Sequence, residues 1–166
     1  MVVNNEKNKP LVSFVVNCYN GEKYLNKCLS SILNQTYKNW ELVFWDNSSE
    51  DNSKDIFLSY EDSRFKYFSS NENVNLGQAR EWAVNNCEGE YIAFLDVDDE
   101  WIPEKTEIQV REMLKDNYVL SYGGMIWIED ETKKTKEIYP KYESGYLFSE
   151  NMFQFDINMP TSMIKR

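Results

Sequence analysis

Three short apolar runs in this chain each stop abruptly at a polar residue. Leu11-Val12-Ser13-Phe14-Val15-Val16 runs into Asn17, Glu41-Leu42-Val43-Phe44-Trp45 into Asp46, and Tyr91-Ile92-Ala93-Phe94-Leu95 into Asp96. Near-continuous β-branched and aromatic runs of this length predict strands covered on both faces. Phe65-Lys66-Tyr67-Phe68 predicts a further short strand. Between the runs the period changes. Tyr24, Leu25, Cys28, Leu29, Ile32 and Leu33 recur at spacings of three and four, as do Leu76, Ala79, Ala83, Val84 and Cys87. Each set gives a helix one apolar face. A weaker helical pattern starts at Pro103, a residue suited to the first helical position, and runs to about Lys115.

The order is strand, helix, strand, short helix or loop, strand, helix, strand, helix. Such alternation predicts an α/β fold with a mostly parallel central sheet flanked by helices. Ligands of open sheets of this kind bind beyond the carboxyl ends of the strands. Asn17, Asp46 and Asp96, far apart in sequence, are therefore expected to converge. After Asn117 the pattern changes. Tyr118 to Ile128 is apolar and aromatic but broken by Gly123-Gly124, Glu129 to Glu137 reads as a charged hairpin or loop, and Tyr139 to Phe155 is aromatic-rich without a clean period.

Composition narrows the chemistry. The 166 residues suit one domain, and 42% hydrophobic content supplies a core. Eighteen basic against 28 acidic residues give a net charge of -10 with no basic block, which argues against nucleic acid as a partner. An acidic protein binds a small anion only with local help from a cation or a helix N-terminus. The chain has no histidine, which removes Ser-His-Asp and Cys-His catalysis and leaves oxygen-liganded ions such as Mg²⁺ or Mn²⁺ as the fitting metals. Cys18, Cys28 and Cys87 form no C-x-x-C pair and read as free, buried thiols of a reducing compartment. The opening Met1-Val2-Val3-Asn4-Asn5-Glu6-Lys7 lacks an apolar signal core, and no apolar run approaches the roughly 20 residues that span a bilayer.

The densest candidate chemistry is Asp96-Val97-Asp98-Asp99, directly after a predicted buried strand. Carboxylates at i and i+2 in a turn reach one cation, and a diphosphate would complete the oxygen shell. On spacing alone the cluster reads equally well as a solvated acidic loop. An EF-hand is disfavoured, because its sixth position requires glycine and holds Trp101 here. Neither G-x-x-x-x-G-K-[ST] nor G-x-G-x-x-G is present, so the common phosphate-loop fingerprints are absent.

Five ordered segments carry a resemblance. Val12-Ser13-Phe14-Val15-Val16-Asn17-Cys18-Tyr19-Asn20-Gly21 ends like a strand and "P-T-Y-N" turn. Ser31-Ile32-Leu33-Asn34-Gln35-Thr36-Tyr37 is similar to "SIL-Q-T-Y", and Trp45-Asp46-Asn47-Ser48-Ser49-Glu50-Asp51 to "V-D-D-G-S-x-D". Asn75-Leu76-Gly77-Gln78-Ala79-Arg80 is similar to "N-x-G-x-x-x-A-R-N", and Gly89 to Trp101 to "G-E-Y-I-A-F-L-D-S-D-D-x-W". Together, collinear from about Leu11 to Gln109, they resemble glycosyltransferase family 2 with its GT-A fold.

The resemblance implies one GT-A domain over residues 1–166, with a nucleotide-sugar-binding half at about 10–115 and the start of an acceptor side at about 116–166. It implies transfer of a sugar, with inversion, from a nucleotide-diphosphate sugar to an acceptor hydroxyl. The expected donor is a UDP-sugar, the acceptor a glycan or lipid-linked sugar, and the setting surface-glycan assembly in the cytoplasm or at the inner membrane face. Tyr19 and Asn20 would line the base pocket, and Asp46 and Asn47 would contact the nucleoside. Arg80 would sit near the base or diphosphate. Asp96, with Val97, would hold the ribose, and Asp98, Asp96 and Asp99 would ligate Mg²⁺ or Mn²⁺. Three departures stand out: Asn17-Cys18 replaces "P-T", Asn47 replaces the second acid of "D-D" and so leaves the base open, and Glu81 replaces the asparagine of "A-R-N". Asn158 to Arg166 looks like the strand just before the family's "E-D" motif, and Asp156 and Glu150 do not match that motif's context, so the catalytic base is expected beyond Arg166. The alternative is a truncated or non-catalytic nucleotide-sugar-binding or metal-binding fragment.

Overall fold

The computed structural model describes residues 9–141, 145 and 157–166. In chain order the elements are β1 (Val12–Cys18), α1 (Glu22–Leu33), β2 (Trp40–Asp46), α2 (Ser53–Leu58), β3 (Phe65–Ser69), α3 (Leu76–Val84) and β4 (Tyr91–Asp96), followed by α4 (Lys105–Asp116), β5 (Leu120–Ser121), β6 (Met125–Ile128), β7 (Thr135–Ile138), a 3-10 turn (Met159–Thr161) and β8 (Met163–Lys165). Six strands form one sheet in the order β3-β2-β1-β4-β8-β5. β1 to β4 run parallel, and β8 enters antiparallel between β4 and β5.

Both faces of the central strands are covered, as their unbroken apolar runs require. On one face Phe14, Val16, Leu42, Phe44 and Leu95 pack with Leu25, Leu29 and Ile32 of α1 and with Val110 and Met113 of α4. On the other, Val15, Val43, Trp45, Ile92 and Phe94 pack with Ala79 and Ala83 of α3. Small residues at 79 and 83 let that helix lie close to the sheet. Much of the aromatic content forms a ladder at the β3 edge, where Phe44 stacks on Phe57 at 4.3 Å and Phe57 on Phe65 at 5.4 Å.

The amino ends of β1 and β2 are pinned by a buried acid. Glu41 accepts from Ser13 Oγ at 2.5 Å and from the Glu88 N–H at 2.6 Å, and pairs with Lys66 at 2.7 Å. Burial raises its pKa, but Lys66, Ser13 and the Glu88 amide outweigh that and hold the carboxyl below its ordinary range.

The element order matches the hydrophobic pattern, one open choice is resolved, and two boundaries differ. The segment after β2 is the helix α2. α4 starts at Lys105, two residues beyond Pro103, because the Ile102 and Pro103 carbonyls turn to accept from Lys105 and Thr36. α3 ends at Val84, with Cys87 N–H closing a turn onto the Val84 carbonyl. Past α4, Asn117 adopts a left-handed φ of 53° that ends the helix. The charged stretch splits into a loop and β7, which pairs with β6 as a hairpin. Asp130 ties that hairpin to α1 through Lys23 and Tyr24, each at 3.1 Å, while Ile126 and Ile128 stay exposed.

Candidate functional site

The carboxyl ends of β1, β2 and β4 lie side by side. In register, Asn17 pairs with Asp96 and Cys18 with Asp46. The expected convergence is therefore present, with a refinement: paired residues of parallel strands share a face, so Asn17 and Asp96 face the α3 layer and Asp46 the opposite one.

The turn after β1 is built for close approach. Asn20 takes a φ of 52°, a region that asparagine tolerates. A Cβ at Gly21 would stand 2.7 Å from Val97 Cγ2 and 2.8 Å from Cys18 Sγ, so only glycine lets the acidic loop sit against this turn. The turn is interlocked with the one after β2. Asn20 Oδ1 accepts from Glu50 N–H at 2.9 Å, and Asn20 N–H donates to Ser49 Oγ at 3.0 Å. Asp51 accepts from Glu22 N–H at 2.9 Å and from Ser53 N–H at 3.0 Å, so one carboxylate takes the first N–H of both α1 and α2. Glu22 answers by accepting from the Asn52 N–H at 3.0 Å. Tyr19, at the apex, is 52% exposed.

Asp46 is buried, and both its oxygens are engaged: one accepts from Ser49 N–H at 2.8 Å, the other from Tyr67 Oη at 2.7 Å. Burial, then the Asp46 carboxylate, push the Tyr67 hydroxyl well above its ordinary pKa. Asn47 is equally committed. Its Nδ2 donates to the Val74 carbonyl at 2.8 Å, and its Oδ1 accepts from Val74 N–H at 3.2 Å and Ser70 Oγ at 3.3 Å. Only an amide serves both ends of Val74, which gives the departure from an acid at 47 a structural reason. A cleft of about 450 Å³ opens beside this loop, lined by Trp45, Ser69, Ser70, Asn71, Glu72 and Trp82.

Arg80, the fifth residue of α3, reaches Asp96 Oδ1 at 2.7 Å. Behind Asp96 the chain turns through Asp99 N–H to the Asp96 carbonyl at 3.0 Å, leaving Asp98 and Asp99 exposed on the loop and Val97 half-buried. Partial desolvation, together with the charges of Asp98 and Asp96, pushes the Asp99 carboxyl up to about 6. Asn17 Nδ2 is buried and finds no acceptor among the described residues. All donors on the acidic loop are oxygens, a set that suits a hard divalent ion. Among the described residues no three His, Cys, Asp or Glu side chains close into a cage, so an ion there would draw further ligands from its anion.

Comparison with known proteins decides the lineage. The model of the family described as "Glycosyl transferase family 2" matches residues 13–164. The chain belongs to glycosyltransferase family 2. Over 131 residues this family 2 chain is 38% identical to the UDP-Glc:alpha-D-GlcNAc-diphosphoundecaprenol beta-1,3-glucosyltransferase WfgD of Escherichia coli, covering 79% of this chain and 52% of that protein. It is 34% identical over 134 residues to the putative teichuronic acid biosynthesis glycosyltransferase TuaG of Bacillus subtilis, covering 79% and 53%. The chain thus spans about half the length of these relatives. Among solved structures, S. aureus TarS 1-349 in complex with UDP-GlcNAc superposes with a TM-score of 0.77 at 23% identity, over 93% of this chain and 45% of that one. The mannosyltransferase PcManGT from Pyrobaculum calidifontis in complex with GDP-Man and Mn²⁺ gives 0.71 at 15% identity, over 96% and 46%. These likenesses establish the GT-A fold.

Set against the family 2 pattern, the residues singled out in the sequence divide into two groups. Tyr19, Arg80, Asp96, Asp98 and Asp99 border the open end of the sheet, whereas the side chains of Asn20, Asp46 and Asn47 bond to neighbouring loops and, for Asp46, also to Tyr67 of β3. Sequence reading missed Tyr67, Ser49 and Val74 as their partners. Only the alternation in Phe65-Lys66-Tyr67-Phe68, which puts Tyr67 on the Asp46 face, carried a signal. Glu150 and Asp156 lie outside the described residues.

Proposed function

We propose that this chain forms the donor-binding part of an inverting glycosyltransferase that transfers a sugar from a nucleotide diphosphate, a UDP-sugar first, to a glycan or lipid-linked hydroxyl in surface-glycan assembly. The reading places residues 10–115 as the nucleotide-sugar half and 116–166 as the start of the acceptor side. It rests on one observation above all: the Arg80–Asp96 pair and the Asp98–Asp99 carboxylates stand at one sheet end beside Tyr19. The relatives named above support the donor class and the lipid-linked acceptor. No described helix is long and apolar enough to cross a membrane, which is compatible with action in the cytoplasm or at its membrane face.

In this reading Tyr19 stacks on the base, and Asp96, oriented by Arg80, takes the ribose. Asp98 and Asp99 hold Mg²⁺ or Mn²⁺, and such a bound ion supplies charge stabilisation for the departing diphosphate. Asp46 and Asn47 act by fixing the turns that carry these groups. No described residue is assigned as the base that takes the acceptor's proton. In calorimetry with UDP and Mn²⁺, Asp98→Ala should weaken binding at least tenfold; equal affinity in the two proteins defeats the metal role. Absence of nucleotide release from any nucleotide-sugar, in the natural full-length protein given acceptor, defeats the transferase reading and favours a binding module.

A further inference from the structure

Across the site end of the sheet the strands run β2, β1, β4, β8. β8 is antiparallel to β4, with Ala93 opposite Met163 and Tyr91 opposite Lys165, so it starts at the site end. The 3-10 turn that feeds it therefore lies next to the acidic loop, on the side away from Tyr19 and Asp46. On the reading just proposed, nucleoside and diphosphate occupy the ends of β2, β1 and β4. The sugar, attached beyond the diphosphate, then extends toward that turn.

Two side chains hold the turn. Trp101 Nε1 donates to the Pro160 carbonyl at 2.8 Å, and Gln109 Nε2 donates to the Thr161 carbonyl at 2.9 Å. Both donors are themselves fixed. Trp101 is buried edge-on to Phe14, with ring centroids 5.0 Å apart, and its backbone N–H donates to Ser31 Oγ at 3.2 Å. Gln109 is buried, and its Oε1 accepts from Lys105 Nζ at 2.8 Å; that same amine lies 4.1 Å above the Trp101 ring. Trp101, Lys105 and Gln109 thus form one connected strip from the acidic loop to the turn. Within the turn, Thr161 and Ser162 donate their hydroxyls back to the Asn158 and Met159 carbonyls, at 2.7 and 2.8 Å.

We propose that Trp101 and Gln109 are positioning residues of the donor site: by anchoring turn 159–161 beside the acidic loop they set the wall against which the sugar of the bound nucleotide-sugar rests. This inference depends on the donor-site reading, and the experiment separates the two. Calorimetry with Mn²⁺ compares UDP with UDP-Glc and UDP-GlcNAc, and GDP with GDP-Man, on wild type, Trp101→Phe and Gln109→Met. Phe keeps the ring under Lys105 and against Phe14 while losing the indole N–H. Loss of one anchoring hydrogen bond should weaken nucleotide-sugar binding about five- to tenfold while the nucleotide diphosphate changes less than twofold. Equal loss for both ligands marks a merely structural role and overturns the inference, as does no loss. Should the variants fold poorly, hydrogen exchange on wild type decides: the amides of Asn158, Met159, Thr161 and Ser162 should slow more with nucleotide-sugar than with nucleotide, and no difference overturns the inference. A wild-type chain that binds no nucleotide overturns the donor-site reading and takes this inference with it.

Discussion

At position 47, an aspartate would leave the Val74 carbonyl without its donor and set a carboxylate against it. Asn47→Asp should therefore destabilise the protein by about 1–3 kcal/mol in urea unfolding. Its nucleotide affinity should fall with the loosened 70–74 loop. Glu41 sets a pH dependence. Its folded-state pKa lies below the ordinary value of 4.5, so its stabilising contribution is present above that value and fades as pH falls through the lower one. Acid unfolding of Glu41→Gln should show a shallower slope below about pH 4.5 and a lower melting temperature at neutral pH than wild type. Asp96 and its neighbours were legible because three carboxylates in four positions after a buried run need no partner to be noticed. The hydrogen-bond partners of Asp46 and Asn47 were not, because Tyr67 and Val74 sit 21 and 27 residues away in sequence.

The joint between α1 and α4 shows a motif residue acting between elements. Gln35, fully buried just past α1, accepts from Thr106 N–H at 3.2 Å and Oγ1 at 2.7 Å and donates to the Ile102 carbonyl at 2.8 Å. Gln35→Leu would orphan these groups and should lower stability by about 2–3 kcal/mol, with the acidic loop exchanging faster in hydrogen-exchange measurements. Lys105 opens α4 without a carboxylate among its described contacts, and burial pulls its amine down to about 7. A lysine whose folded pKa is depressed is least tolerated when protonated. Stability should therefore rise between about pH 7 and 10.5 as the unfolded chain alone keeps that proton. Lys105→Met should lose that part of the slope in melts taken across this range. Helix and strand existence followed from apolar period; the start of α4 did not, because Pro103 is held in a turn by Thr36, 67 residues upstream in sequence.

For the whole molecule, the parallel order of β1 to β4 was legible from the alternation of runs, and the family resemblance implied a strand within Asn158 to Arg166, but the antiparallel insertion of that strand between β4 and β5 was not legible. Three residues, Met163 to Lys165, carry too short an apolar pattern to fix a strand's direction or neighbours, and their pairing with β4 is set by the far side of the sheet. That strand covers an edge which would otherwise offer unpaired backbone to other chains. A protein shortened to residues 9–116 should accordingly aggregate, and lose the cooperative melt of the longer chain in circular dichroism. The same topology has a consequence for synthesis. β4 leaves the ribosome with residue 96, whereas its partner β8 begins only at residue 163. At about 5–20 residues per second, the open edge beside the acidic loop waits roughly 3–13 s for its neighbour. During that interval the nascent chain exposes the strand that carries its most acidic loop, so a holdase should engage it after residue 96 has emerged and release it once β8 emerges.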